Sequence, residues 1–249
     1  MFKLVLDEVG ILKDSINAIA SFITEATFEI TKDGLQLIAM DPASVAMVIF
    51  KMLPTAFSEY DVDEAQKITL SLGNLSQVLK RARSSDTLIL TLTEDKSRLK
   101  LIMKGTFTRT FLIPLIEGGE ESHTVPNLEF DVVVEMDSSV LKEGIKDADM
   151  VSDSVIFEAD AEKFLLYATG ENSEVKLELT RDSPALISLQ AKKAAKAKYS
   201  IDYLEKMLKG TKISENVVIK FSQDYPMQLD CKVLDRVQLS FILAPRVDV

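Results

Sequence analysis

The chain has 249 residues, of which 39 are acidic and 29 basic, for a net charge of -10 and an isoelectric point near 4.8. Such a balance argues against a general nucleic-acid binder but leaves room for a local basic site. With Cys231 as the single cysteine, an intrachain disulfide is excluded and a reducing compartment fits.

The opening, MFKLVLDEVG, reaches Asp7 and Glu8 too early to read as a signal peptide. No apolar stretch approaches the roughly 18 residues of a membrane span. The expectation is a soluble, cytoplasmic protein with no membrane partner.

Most of the chain alternates apolar and polar residues with period two, as in KITLSL (67–72), DTLILTLT (86–93), SRLKLIMK (97–104), FDVVVEM (130–136), VKLELT (175–180) and RVQLSFIL (236–243). This alternation predicts strands with one buried face. Four segments break it and predict short helices: 9–19, 75–85, 138–148 and 204–214. Each holds a Leu-Lys pair, at Leu12-Lys13, Leu79-Lys80, Leu141-Lys142 and Leu208-Lys209, at successive spacings of 67, 62 and 67 residues. The second pair of helices thus repeats the first at an offset of 129. The offset also places TFEI (27–30) on IFEA (156–159) and GLQL (34–37) on KFLL (163–166). An internal duplication is the economical reading.

Between the halves, EGGEESHTVPNLE (117–129) carries glycines, a proline and four glutamates without core periodicity. The expected organisation is domain 1–116, linker 117–129 and domain 130–249. Glu117, Glu120 and Glu121 keep that linker exposed.

No nucleotide-binding glycine motif is present. His123, the sole histidine, lies in the linker and reads as a solvated loop residue, so neither a zinc site nor a histidine-dependent triad is expected. Cys231 reads as a packed strand residue. Asp147, Asp149 and Asp153 are better read as a solvated helix end than as a cation site, since the loop lacks the glycine and glutamate of a calcium loop. No catalytic residue, metal or cofactor is expected.

The basic residues carry more information. Lys80 shares a helix face with Arg83, Lys142 with Lys146, and Lys206 with Lys209. Lys13 takes the equivalent place in the first helix. Any one of these reads as a solvated face. The same phase in four helices suggests a shared surface for phosphates, held without regard to base sequence. The lysines of QAKKAAKAK (190–198) read as a surface loop.

The chain as a whole resembles the archaeal form of the proliferating cell nuclear antigen family, the sliding clamps of DNA replication. The resemblance rests on LKDSINAIASFITEATFEITKDGLQLIAMDPASVAMV (12–48), LKRARSSDTLIL (79–90), KDADMVSDSVIF (146–157) and LAPRV (243–247), all in family order. It implies an α+β fold of two duplicated clamp domains. Four short helices lie on a continuous antiparallel sheet layer, and three chains close into a ring.

The resemblance assigns Lys13, Lys80, Arg81, Arg83, Lys142, Lys146 and Lys209 to duplex DNA. It assigns the subunit interface to Thr108, Arg109, Thr110, Phe111 and Ile113 of one chain and to Glu174, Val175, Lys176, Leu177 and Leu179 of the next. It places a partner-peptide pocket at Met40, Val45, Met47, Val125, Pro126, Pro226, Ile242, Ala244, Pro245 and Arg246; without it, Met40, Val45 and Met47 read as core strand residues. The implied partners are a clamp loader (replication factor C), DNA polymerases, flap endonuclease and DNA ligase. The alternatives are a subunit of a heterotrimeric clamp and, more distantly, an enzyme or small-molecule binder on a duplicated β-rich fold.

Overall fold

Alternation along each predicted strand becomes alternating burial. In Glu25–Thr31, the residues Ala26, Phe28 and Ile30 are buried and their neighbours are not. The computed structural model describes residues 2–117 and 123–247. In chain order the elements are β1 (Phe2–Leu6), α1 (Val9–Ile19), β2 (Glu25–Thr31), β3 (Gly34–Met40), β4 (Ala46–Met52), β5 (Glu59–Val62), β6 (Gln66–Ser71), α2 (Leu72–Leu79), β7 (Thr87–Leu92), β8 (Arg98–Lys104) and β9 (Thr108–Pro114). They continue as β10 (Val132–Asp137), α3 (Ser138–Asp149), β11 (Ser154–Ala159), β12 (Lys163–Thr169), β13 (Glu174–Thr180), β14 (Leu186–Ala191), β15 (Ala195–Ser200), α4 (Ile201–Met207), β16 (Asn216–Phe221), β17 (Met227–Val233) and β18 (Val237–Leu243).

The chain forms two units. One comprises Met1–Pro42, Val48–Val125 and Val233–Leu239; the other comprises Ala43–Met47, Pro126–Lys232 and Ser240–Val249. Strand order exposes the duplication. The order β5-β1-β7-β8-β9 recurs as β14-β10-β16-β17-β18, and β6-β2-β3-β4 recurs as β15-β11-β12-β13. Strand β9 is therefore the counterpart of β18, and β4 that of β13. Neighbouring strands within each unit run antiparallel, as in β1 with β5 and β7, β2 with β3, and β12 with β11 and β13.

In the first unit, α1 packs on α2. Phe2, Leu4, Leu12, Phe28, Ile30 and Leu75 help line a wholly apolar cavity of ≈ 30 Å³ between helices and sheets. That volume is an order of magnitude below a ligand pocket and marks a packed core. The second unit has an aromatic core. Phe157 lies 5.6 Å from Phe164, 5.5 Å from Tyr199 and 6.2 Å from Phe221, ring centre to ring centre. These are tilted and edge-on contacts that join its two sheets.

Two of the four expected helices shift. The second begins at Leu72, because the Ser71 hydroxyl caps it by accepting from Asn74 N. It ends at Leu79, so Lys80 is its cap and Arg81 and Arg83 lie in the following turns. There the buried Asp86 carboxylate accepts from Arg83 N at 2.8 Å and bends the chain out of helix. The fourth begins at Ile201 and continues past Met207 as a 3-10 helix, Leu208–Ile213. The lysine-rich 190–198 stretch is not a loop throughout. It contains the end of β14 and the start of β15, where Ala195, Ala197 and Tyr199 are buried and Lys196 and Lys198 turn outward.

Candidate functional site

The seven cations assigned to DNA are all exposed except Lys13, which is half-buried. Periodic apolar faces put them there. Val9, Leu12, Ile16 and Ile19 bury one side of α1, and Leu141, Ile145 and Ala148 bury one side of α3. Lys142 and Lys146 emerge on the opposite side of α3. Lys146 is already neutralised, since its ammonium lies 2.9 Å from Glu143 Oε1. The same contact holds the Glu143 carboxyl below its usual range. Lys206 pairs likewise with Asp202 at 2.6 Å. Lys13, Lys80, Arg81, Lys142 and Lys209 have no carboxylate within ion-pair distance among the described residues.

Arg83 does not share a helix face with Lys80. Its guanidinium sits 5.4 Å from the centre of the Phe107 ring, and Arg109 sits at the same distance. Phe107 is 54% exposed, so this is a surface stack of two cations on one aromatic side chain. Arg109 also donates to Arg81 O at 2.8 Å and bridges to the Asp86 carboxylate. Sequence spacing gives no signal for this cluster, because its members come from the end of α2 and from the β8–β9 hairpin.

The candidate interface residues lie on two sheet edges. Strand β9 pairs with β8, and β13 pairs with β12, each at the end of its strand order. Their burial patterns are the same, with Ile113 and Leu179 buried while Arg109, Phe111, Val175 and Leu177 are half-buried. Phe111 sits opposite the buried Leu101, and Leu177 sits opposite Leu166. Both side chains therefore lie on the core-facing side of an edge strand and stay incompletely covered.

The remaining edges are closed in other ways. Ile116 N donates to Thr69 O of β6 at 2.8 Å. Arg181 Nη2 donates to Leu189 O of β14 at 3.3 Å. Arg246 N donates to Lys198 O of β15 at 2.7 Å. Strand β5 spans four residues, Glu59 and Asp61 among them. Short or covered edges resist pairing, whereas β9 and β13 each span seven residues and have no further described strand beside them.

Part of the candidate pocket is assembled within the second unit. Ala244 N donates to Val45 O at 3.0 Å, so the segment after β18 runs beside the residue that precedes β4. Val45, Ala244, Pro245 and Pro226 are half-exposed, Arg246 and Pro126 are exposed, and Met47 and Ile242 are buried. Met40, half-buried, and Val125, exposed, fall in the first unit.

Several residues of this region have no signal in the sequence. The Tyr199 hydroxyl donates to Tyr225 O at 2.8 Å and fixes the turn before Pro226. Burial pushes the Tyr199 hydroxyl well above the normal tyrosine range. Asp153 pairs with Arg246 at 2.8 Å. None of these has a motif, because each contact joins segments distant in sequence.

The remaining candidates stay apart from these surfaces. His123 is half-buried rather than solvated, and borders a shallow groove with Thr27, Glu29, Gln36 and Lys67. Glu117 is exposed, and Glu120 and Glu121 lie outside the described residues. Among the described residues, no group of acids, histidines or cysteines is placed to hold a metal. Among the described residues, no helix is long and apolar enough to cross a membrane.

Residues 1–111 match the family model for the N-terminal domain of proliferating cell nuclear antigen, and residues 124–246 match that for its C-terminal domain. The chain belongs to the proliferating cell nuclear antigen family of sliding clamps. It is 40% identical to the DNA polymerase sliding clamp of Nanoarchaeum equitans over 239 residues, covering 95% of this chain and 96% of that one. It is 36% identical to the DNA polymerase sliding clamp of Pyrococcus furiosus, covering 99% of both. A crystal structure of the antigen from Thermococcus kodakaraensis superposes with a TM-score of 0.93 at 33% identity, covering 99% of this chain and 100% of the other. The four helices and duplicated antiparallel sheets are those of a clamp, and the chain serves DNA polymerase as one.

Proposed function

We propose that three copies of this clamp close into a ring by pairing β9 of each chain with β13 of the next. The observation that carries the reading is that these two seven-residue edges have no further strand beside them among the described residues, and both leave core-side apolar residues half-covered. The duplication supports it. Within the second unit, the chain leaving β18 hydrogen-bonds the residue that leads into β4. Strands β9 and β13 are the counterparts of β18 and β4 and have no second neighbour within the described chain. A head-to-tail interface of this kind closes when its rotation divides the circle.

In this reading Lys13, Lys80, Arg81, Arg83, Lys142, Lys146 and Lys209 face duplex DNA inside the ring. Phosphate contacts position without reading sequence, and loose contacts allow sliding. The half-exposed surface of Val45, Ala244, Pro245 and Pro226, with Met47, Pro126, Ile242 and Arg246 of the same unit, receives a short partner segment with a glutamine and an apolar-aromatic plug. DNA polymerases, flap endonuclease and DNA ligase are the proposed bearers of that segment, and replication factor C the loader. The clamp itself is a tether without catalytic chemistry, working on DNA in the cytoplasm of an archaeal cell.

The test is topological. With a clamp loader, the protein should stay on closed circular DNA and run off once the circle is cut; equal retention on linear DNA with free ends refutes the ring. The second reading is a subunit that assembles only with paralogues. A stable trimer of this chain alone in light scattering would exclude it.

A further inference from the structure

We infer that Asp153 is a positioning residue, which anchors the C-terminal segment 244–246 along β15 and thereby presets the partner pocket. The inference rests on the pocket reading above and adds a residue that is not among those assigned to the pocket.

Three contacts define the anchor. Arg246 Nη2 lies 2.8 Å from Asp153 Oδ2, and Arg246 Nη1 donates to Asp153 O at 3.5 Å. The Arg246 backbone N donates to Lys198 O at 2.7 Å. The Arg246 guanidinium is the main cause that holds the Asp153 carboxyl below its usual range, so the carboxylate is in the form that pairs. Asp153 is itself fixed, because its carbonyl accepts from Ile201 N at the start of α4, 3.1 Å away. One partner thus belongs to a helix junction and the other to a segment near the chain's end. A segment outside helix and strand is ordered only as far as its own bonds hold it. Here the ties are two backbone bonds, at Ala244 and Arg246, and one ion pair.

The consequence for binding is entropic. Ala244 and Pro245 lie between the bond to Val45 and the anchor at Arg246. If the anchor holds, the pocket wall exists before a partner arrives and ordering it costs the partner nothing. If it is lost, each binding event must first capture the segment, and the apparent affinity falls by the fraction of time it is in place.

The experiment compares wild type, Asp153→Asn, and the charge exchange Asp153→Arg with Arg246→Asp. Light scattering first checks that assembly is unchanged. Amide hydrogen exchange of Ala244 and Arg246 is measured without any partner, and then the binding of a synthetic peptide with a glutamine and an apolar-aromatic plug. For a solvent-exposed ion pair, roughly two- to five-fold effects are expected. Asp153→Asn should speed exchange of the two amides and weaken the peptide by similar factors, and the charge exchange should restore the slow amide exchange. Unchanged amide exchange in Asp153→Asn overturns the anchor. Faster exchange with unchanged peptide affinity overturns its role in presetting the pocket. Faster exchange in a protein whose wild type ignores the peptide leaves the anchor standing and defeats the pocket reading itself.

Discussion

Arg109 reaches from β9 to the buried carboxylate of Asp86, and its other terminal nitrogen donates to Arg81 O at 2.8 Å. Asp86 is 3% exposed and also accepts from Arg83 N. One carboxylate therefore fixes both the turn after α2 and the side chain of an edge strand. Removing one partner of such a pair strands the other charge. Asp86→Ala should lower stability by about 3 kcal/mol, read from the midpoint of urea unfolding. Gly105→Ala should act in the same direction, because a Cβ there runs into Asp86 Oδ1.

The ring reading sets a second expectation. Phe111→Glu or Leu177→Glu should convert the trimer to monomers in light scattering at micromolar concentration, since each puts a charge on the core side of an edge with no second strand beside it. Ile187→Glu changes a residue 49% exposed on β14, whose edge is already closed by Arg181. It should leave the mass unchanged.

Not all the assigned cations should matter equally. Lys80→Gln or Lys142→Gln should weaken retention on DNA and reduce the salt slope by about 0.9 for each phosphate no longer neutralised. Lys146→Gln should do less, because Glu143 already occupies that ammonium. Glu143→Gln frees Lys146 and should strengthen retention, measured as affinity against salt.

Asp230 makes stability depend on pH. It is 1% exposed, and burial by itself raises its pKa. The Lys220 ammonium at 2.8 Å and the Ser240 and Gln228 side chains outweigh that and hold the carboxyl below its usual range. A depressed pKa gives stability that is present above the unfolded value of about 3.9 and is lost as pH falls through the folded one. The stability gap between wild type and Asp230→Asn should be full at neutral pH and shrink below about pH 4, seen in urea titrations across that range.

Cys231 should serve as a reporter of unfolding. Burial, and secondarily Asp230, push its thiol up to about 12. A thiol reagent at pH 8 should leave the native protein unlabelled, with labelling at the rate of global opening.

Much of this is legible in the chain. Period-two alternation marks the strands because each sheet has one buried face, and the Leu-Lys spacings reveal the duplication because each helix buries its leucine and turns the next residue toward solvent. The end of α2 is not legible. No glycine or proline follows Leu79, and the signal that ends the helix is the carboxylate of Asp86, which matters only once it is buried. The 190–198 stretch reads as a loop because its outward lysines dominate its composition, while the small buried partners, Ala195 and Ala197, give a weak alternation.

By itself the sequence determined the acidic balance, the single thiol, the strand-rich alternation and the doubled architecture, since these depend on side-chain type and on periods of two, 3.6 and 129 residues. Only the tertiary structure decided which sheet edges stay open, that Lys146 is spent on Glu143, that Arg83 stacks on Phe107, and that Arg246 is moored to Asp153. These depend on which strands lie side by side. Neighbours in a sheet are chosen by burial and backbone hydrogen bonding over distances the local pattern does not encode.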